Sequence, residues 1–130
     1  MKDFNIFSIV SSLLGGIITY MLGGFDMLLK ALLTLIILDC ITGIIKGIYI
    51  KTLSSQTGFK GVLKKILILV IVALSVVVQQ MMNDTVPIRE TVIVFFICNE
   101  GISILENAAQ FIPVPDKLRG ILLQLRKEGD

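Results

Sequence analysis

Four apolar stretches run through the sequence, separated by short polar segments and followed by a fifth, amphipathic segment. The apolar stretches cover about residues 6–22, 28–48, 66–82 and 88–105. A helix needs roughly 17–25 residues to cross a hydrocarbon core about 30 Å thick, so each stretch can span a membrane, the first one only just. The pattern predicts an all-α membrane protein with about four transmembrane helices, in one domain over residues 1–130.

The first stretch follows a start with one Lys and one Asp, and no A-x-A-like site comes after it. These features favour an uncleaved first span over a removed signal peptide. Small residues, among them Gly15 and Gly16, recur at helical spacing on one face of the stretch. Small residues let helix backbones approach closely in lipid. The face therefore fits either self-association or packing within one subunit.

The second stretch contains a carboxylate, Asp39, inside an otherwise apolar helix. The four Leu and six Ile of residues 31–49 contribute about −5 kcal/mol to insertion, against about +3 kcal/mol for Asp39. The helix should therefore insert, with Asp39 turned toward protein or water. Gly43 and Gly47 follow Asp39 on the same face, at a spacing typical of closely packed helices.

Residues 46–65 carry five lysines and no acidic residue. Gly and Ser residues in the middle of this segment are typical of turns, so we predict a cytoplasmic loop. We interpret the lysines as a topology signal and as contacts to anionic lipid. They are Lys46, Lys51, Lys60, Lys64 and Lys65.

The fourth stretch is the least apolar of the four and carries a polar stripe at helical spacing. Such a stripe on a membrane helix should face a protein interior or water, so it is a candidate pore lining or subunit contact, together with Asp39. Alternatively, the span ends near Cys98 and the stripe lies in the membrane interface. The stripe consists of Asn99, Ser103, Glu106, Asn107 and Gln110, flanked by Glu100.

The tail, residues 113–130, begins with two prolines and continues as an amphipathic helix from about Asp116. This helix should lie on the membrane surface or on partner subunits. With four spans and both termini in the cytoplasm, ten basic residues lie on the cytoplasmic side and two, Lys30 and Arg89, lie outside. This bias supports the four-span orientation, because three spans would place the four basic residues of the tail outside.

Composition excludes several functional classes. The chain is 55% hydrophobic and 17% charged, with a mean hydropathy of +0.90, which is typical of an integral membrane protein. A net charge of +2 gives no reason to expect nucleic-acid binding. No histidine is present, so a metal cluster and a histidine-based catalytic triad are not expected. We expect no enzyme activity and no cofactor, and Cys40 and Cys98 are interpreted as packing residues.

Several short motifs resemble the toxin-secretion and phage-lysis holin family. They are Asp39-Cys40-Ile41-Thr42-Gly43, Leu53-Ser54-Ser55, Gly58-Phe59-Lys60-Gly61, Lys64-Lys65, the run from Asn99 to Asn107, and Pro113-Val114-Pro115-Asp116-Lys117-Leu118. Their order and spacing are fairly specific together, although each is weak alone. The resemblance covers about residues 27–125 and leaves the first span without a match.

That resemblance implies a multi-pass protein of the bacterial cytoplasmic membrane that assembles with itself at a programmed time. The resulting holes would release an endolysin or a toxin as cargo and lead to host cell lysis. Members of this family are often drawn with three spans, whereas the charge bias favours four. The alternatives are an antiholin or membrane adaptor that binds a holin, and a small four-span transporter.

Overall fold

A computed structural model describes residues 5–128, and within them the chain forms five α-helices and no strand. The helices are α1 (Ile6–Met21), α2 (Met27–Tyr49), α3 (Ser55–Met81), α4 (Ile88–Ala108) and α5 (Asp116–Glu128). The all-helical prediction is confirmed. By length and composition, α2 and α3 are suited to crossing a membrane, and α1 is a shorter apolar helix. Lys2, which entered the charge count, and residues 129–130 of the tail lie outside the described residues.

The segment predicted as a loop is mostly helical, so that prediction is wrong in its bounds. Helix α2 continues to Tyr49, and α3 begins at Ser55, which leaves five residues between them. Ser54 caps α3 by accepting a hydrogen bond from the backbone N–H of Thr57 at 3.1 Å. The serines thus act as a helix start, not as a loop. The apolar side chains of the next turns then continue the helix.

Helix α4 lies at the centre and packs against α2, α3 and α5. The core between α2, α3 and α4 is aliphatic, and Leu32, Val72 and Ile93 within it are fully buried. None of the residues of α1 is buried. An added Cβ at Gly15 or Gly16 would meet no atom within 4 Å, so neither glycine is packed against the described residues.

Helix α5 folds back along the last turns of α4. The Arg126 guanidinium donates to the Asn99 side chain at 2.7 Å, and Arg119 lies 3.6 Å from Glu106. These two contacts make α4 and α5 antiparallel. An added Cβ at Gly101 would lie 3.0 Å from the side chain of Leu122, so the two helices approach closely there. The sequence analysis placed α5 on the membrane surface or on partner subunits. In the structure α5 packs on α4 of the same chain.

Candidate functional site

Charged side chains from three helices meet at one level of the bundle. The Lys65 ammonium of α3 donates to the Asp39 carboxylate of α2 and to the Glu100 carboxylate of α4. Asp39 is 8% exposed and Glu100 is 6% exposed. One lysine therefore joins two buried carboxylates that belong to different helices.

Two neutral side chains complete this cluster. The Asn107 amide donates to the free oxygen of Asp39 at 3.1 Å and to the Thr42 hydroxyl at 3.0 Å. Both oxygens of Asp39 are therefore bonded, one to an ammonium and the other to an amide. We refer to Asp39, Thr42, Lys65, Glu100 and Asn107 as the ion cluster.

Each charged side chain of the ion cluster is stabilised by the others. A charge is costly to bury alone, and its neighbours offset that cost only where geometry and hydrogen bonding are good. Among the described residues, no buried side-chain oxygen or nitrogen lacks a hydrogen-bond partner. Lys65 neutralises one of the two negative charges, so loss of its ammonium would leave two facing carboxylates.

The two glycines of α2 have different neighbours. An added Cβ at Gly43 would lie 3.7 Å from the Asn107 amide nitrogen, which is an ordinary contact distance, so Gly43 lies beside the ion cluster but the approach of Asn107 does not require a glycine there. An added Cβ at Gly47 would lie 3.3 Å from Leu53, so Gly47 accommodates the connection between α2 and α3. The two glycines share a face, as the spacing indicated, but contact different parts of the chain.

The residues of the predicted polar stripe of α4 fall into two groups, one in the ion cluster and one in contact with α5. Glu100 and Asn107 belong to the ion cluster, and Ser103 lies beside them. Asn99 and Glu106 contact arginines of α5 instead, and Glu106 is exposed. Sequence reasoning could not separate the two groups, because neighbouring positions on one helix face can meet different helices.

Sequence reasoning also missed the position of Lys65. It was grouped with four other lysines as a topology and lipid signal, yet its ammonium lies between two carboxylates. Lys51, Lys60 and Lys64 are exposed, and Lys46 is half-buried. Two features of the sequence could have indicated this pairing. Asp39 is a lone charge in an apolar helix, and Lys65 directly precedes the next apolar stretch.

A cleft opens between α2 and α3 around the ion cluster, with α4 as its floor. It has a volume of about 1110 Å³ and is open to the surroundings. Its walls are mostly apolar, and its charged lining residues are Asp39, Lys46, Lys64, Lys65 and Glu100. We call it the α2–α3 cleft.

A second polar junction lies at the opposite end of the bundle and was not foreseen. Arg89, at the start of α4, is buried and donates to both carboxylate oxygens of Asp26, at 2.8 and 3.0 Å. It also donates to the carbonyls of Leu22 and Gly24, at 2.6 and 3.1 Å. The hydrogen bonds from Arg89 lower the pKa of the Asp26 carboxyl from 3.8 to about 2.

This junction explains the paired glycines between α1 and α2. Gly23 and Gly24 have φ values of +88° and +103°, which favour glycine. An added Cβ at Gly23 would lie 2.3 Å from the Arg89 side chain. Gly23 is therefore required both by the backbone and by the guanidinium that holds the turn.

No metal centre is evident in the described part of the chain. Residues 5–128 contain no group of three or more His, Cys, Asp or Glu side chains arranged to hold a metal ion. Cys40 and Cys98 are both free, and Cys98 is buried. The charged residues of the described chain form ion pairs between helices.

The chain is similar to bacterial proteins and to a phage protein. An uncharacterised 14.9 kDa protein from the nagH 3′ region of Clostridium perfringens is 43% identical, over 88% of this chain and 89% of its own length. An uncharacterised protein of Listeria innocua is 38% identical, over 89% of this chain and 84% of its own length. A probable holin of Bacillus phage phi105 is 31% identical, over 78% of this chain and 76% of its own length. No solved structure matches the chain.

The family match covers most of the residues discussed above. Residues 16–127 match the bacteriophage holin family, a range that includes the ion cluster, the Arg89 junction and the α4–α5 pair. Of the helices, residues 6–15 of α1 and the last residue of α5 lie outside it. The resemblance noted from the short motifs is thereby confirmed, and the chain belongs to the bacteriophage holin family.

Proposed function

We propose that this protein is a holin that oligomerises in the bacterial cytoplasmic membrane and forms timed holes through which an endolysin reaches the cell wall. The observation that carries the proposal is the ion cluster. In this cluster, charged and polar side chains are buried between three helices. Many of the apolar side chains of the same helices are exposed. The family membership and the name of the phage phi105 relative support the same function.

In the proposed topology α1 to α4 cross the membrane and both termini are cytoplasmic. The distribution of basic residues supports this orientation. Arg89, one of the two basic residues on the outer side, is neutralised by Asp26, which reduces its cost near the membrane. The last turns of α4 share the cytoplasmic interface with α5, whose basic residues prefer the headgroup region.

In the proposed mechanism the charges of the ion cluster are paired with one another in the closed subunit. When subunits reach a critical density or the membrane potential falls, α4 separates from α2 and α3, and the cluster residues face water inside an assembly. Each elementary charge that moves through the field contributes about 2.3 kcal/mol per 100 mV. A change in potential can therefore bias such a separation.

The deciding experiment is induced expression in a bacterium, with and without a cytoplasmic endolysin that lacks a signal sequence. Turbidity, viability and membrane potential are followed over time. The proposal expects abrupt depolarisation after a delay, and lysis only when the endolysin is present. Healthy growth with the protein in the membrane would contradict it and favour an antiholin or adaptor, and proton-coupled uptake into vesicles would favour a transporter.

The role of the ion cluster is tested with two glutamates of α4 in the same assay. Glu100→Gln removes a buried cluster charge, and Glu106→Gln removes an exposed one with the same change of side chain. Glu100→Gln should shift the lysis time, because it changes the charge balance between the three helices, whereas Glu106→Gln should shift it much less. Equal lysis times for wild type and Glu100→Gln at matched expression would remove Glu100 from the mechanism.

A further inference from the structure

Two lysines line the α2–α3 cleft without an ion-pair partner among the described residues. They are Lys46 from α2 and Lys64 from α3, and neither forms a salt bridge with a described side chain of residues 5–127. The third lysine of the lining, Lys65, is bonded to both carboxylates. Three lysines and two carboxylates give the lining a net charge of +1, and Lys46 and Lys64 carry the positive charges that are not in ion pairs.

The same cleft also has an apolar wall. Leu67 and Ile71 of α3, Ile44 of α2 and Phe96 of α4 line it beside the charged residues. Leu67, Ile71 and Ile44 are exposed, so this wall is accessible from outside the subunit. A cationic rim next to an open apolar wall, on two helices suited to crossing a membrane, matches an amphiphile with a negative head and a hydrocarbon tail.

We propose that the α2–α3 cleft binds one anionic phospholipid, with its phosphate at Lys46 and Lys64 and an acyl chain along Leu67 and Ile71. Basic pockets between transmembrane helices on the cytoplasmic side are known to hold anionic headgroups. A second copy of the chain is a poorer occupant, because residues 46–65 contain five lysines and no acid, so two such rims repel each other. The inference rests on the membrane location in the proposed function, but not on hole formation.

The role of the two lysines in lipid binding is tested with the full-length protein in detergent micelles. Native mass spectrometry measures the bound lipid, and thermal unfolding measures the stabilisation that the lipid provides. The probes are phosphatidylglycerol, phosphatidylcholine, and glycerol phosphate as a headgroup without chains. Phosphatidylglycerol should remain bound and raise the melting temperature, whereas the other two should have little effect. The double variant Lys46→Gln, Lys64→Gln should weaken phosphatidylglycerol binding by at least about tenfold, since two attractive charges are lost.

The matched control is Lys51→Gln, Lys60→Gln. It makes the same change of charge in the same segment, at lysines that do not line the cleft, and should bind phosphatidylglycerol as wild type does. Equal weakening in both double variants would overturn the inference, because it would show general attraction to a basic surface. Binding of glycerol phosphate as strong as that of the lipid would overturn it too, because the apolar wall would then have no part.

Shape is tested with Gly61→Leu. Gly61 lines the cleft, and an added Cβ there meets no atom within 4 Å, so the larger side chain should fill the cleft without disturbing the fold. Leucine is also the better helix former. This variant should unfold at no lower temperature than wild type without lipid, yet lose the stabilisation by phosphatidylglycerol. Gly120→Leu, at another open position outside the cleft, should keep that stabilisation.

A lipid-independent dimer that Gly61→Leu abolishes would overturn the inference in favour of a second copy in the cleft. The lysis assay is separate from these measurements. A protein that binds phosphatidylglycerol at this site but never lyses cells would lose the proposed function and retain the lipid site, and lysis without site-specific binding would have the opposite meaning.

Discussion

At the scale of single residues, Lys65 has the largest structural consequence. Its ammonium holds Asp39 of α2 and Glu100 of α4 together, so one side chain connects all three helices of the core. A buried ion pair contributes little compared with well-packed apolar residues, but removal of one partner is costly because the other charge stays buried. Lys65 is thus more sensitive to substitution than the four lysines with which the sequence grouped it.

We therefore expect Lys65→Met to destabilise the protein by about 3–5 kcal/mol, because two buried carboxylates would face each other unpaired. Lys60→Met is the control, since Lys60 lies on the same helix and is exposed, and it should change stability by less than about 0.5 kcal/mol. Unfolding in mixed micelles measures both variants. Adding Glu100→Gln to Lys65→Met should restore part of the loss, and a loss of equal size in the Lys60 control would contradict this role of Lys65.

The contribution of Asp26 to the stability of the folded protein depends on pH. Its pKa is lowered from 3.8 to about 2 by Arg89, so the ionised form stabilises the folded state. This contribution is complete above about pH 4 and is lost as the pH falls through the folded pKa. The melting temperature of wild type should exceed that of Asp26→Asn by a constant amount above pH 4, and the difference should shrink toward pH 2. A difference independent of pH would contradict the ion pair.

At the scale of helices, α4 and α5 behave as one antiparallel pair. Leu122 packs on Gly101, and one arginine–asparagine and one arginine–glutamate contact flank it. The amphipathic pattern predicted that α5 exists and has an apolar face. It did not predict that α4 supplies a glycine against which this face packs, because contact between helices depends on both surfaces.

Gly101→Leu should release α5 from α4, because even a Cβ at this position approaches Leu122 to 3.0 Å. Trypsin should then cleave after Arg119 and Arg126 several times faster than in wild type. Gly120→Leu introduces the same side chain into open space on α5 and should leave the cleavage rate near that of wild type. Unchanged cleavage of the Gly101 variant would show that α5 is not held by this contact.

At the scale of the whole molecule, the two polar groups lie at opposite ends of one apolar core. The Arg89 junction ties the α1–α2 turn to α4, and the ion cluster ties α2 and α3 to α4. Helix α1 contributes no buried residue and is held mainly through its C-terminal turn. The architecture is therefore a three-helix core, with α5 packed on α4 and α1 attached at one end.

The proposed four-span topology predicts which connections face the cytoplasm. In a protein with Cys40 and Cys98 replaced by Ala, single cysteines at Thr52, Thr85 and Gln124 report on the α2–α3 connection, the α3–α4 connection and α5. Before lysis, an impermeant maleimide added to whole cells should label only the cysteine at Thr85. Labelling at Gln124 from outside would contradict four spans and support three.

Local patterns in the sequence predicted the number and order of the helices, because apolar spacing, prolines and caps act over a few residues. They did not predict that α3 begins at Ser55. The motifs, taken in order, also indicated the family, and the sequence indicated that Asp39 faces protein or water, because a lone charge is costly in an apolar helix. That Asp39 is paired with Lys65 depends on the fold. Lys65 is 26 positions from Asp39, and Arg89 is 63 positions from Asp26, so both pairs depend on how helices pack. The division of the α4 stripe has the same cause, since the neighbours of a helix face are set by the packing of other helices and not by its own spacing.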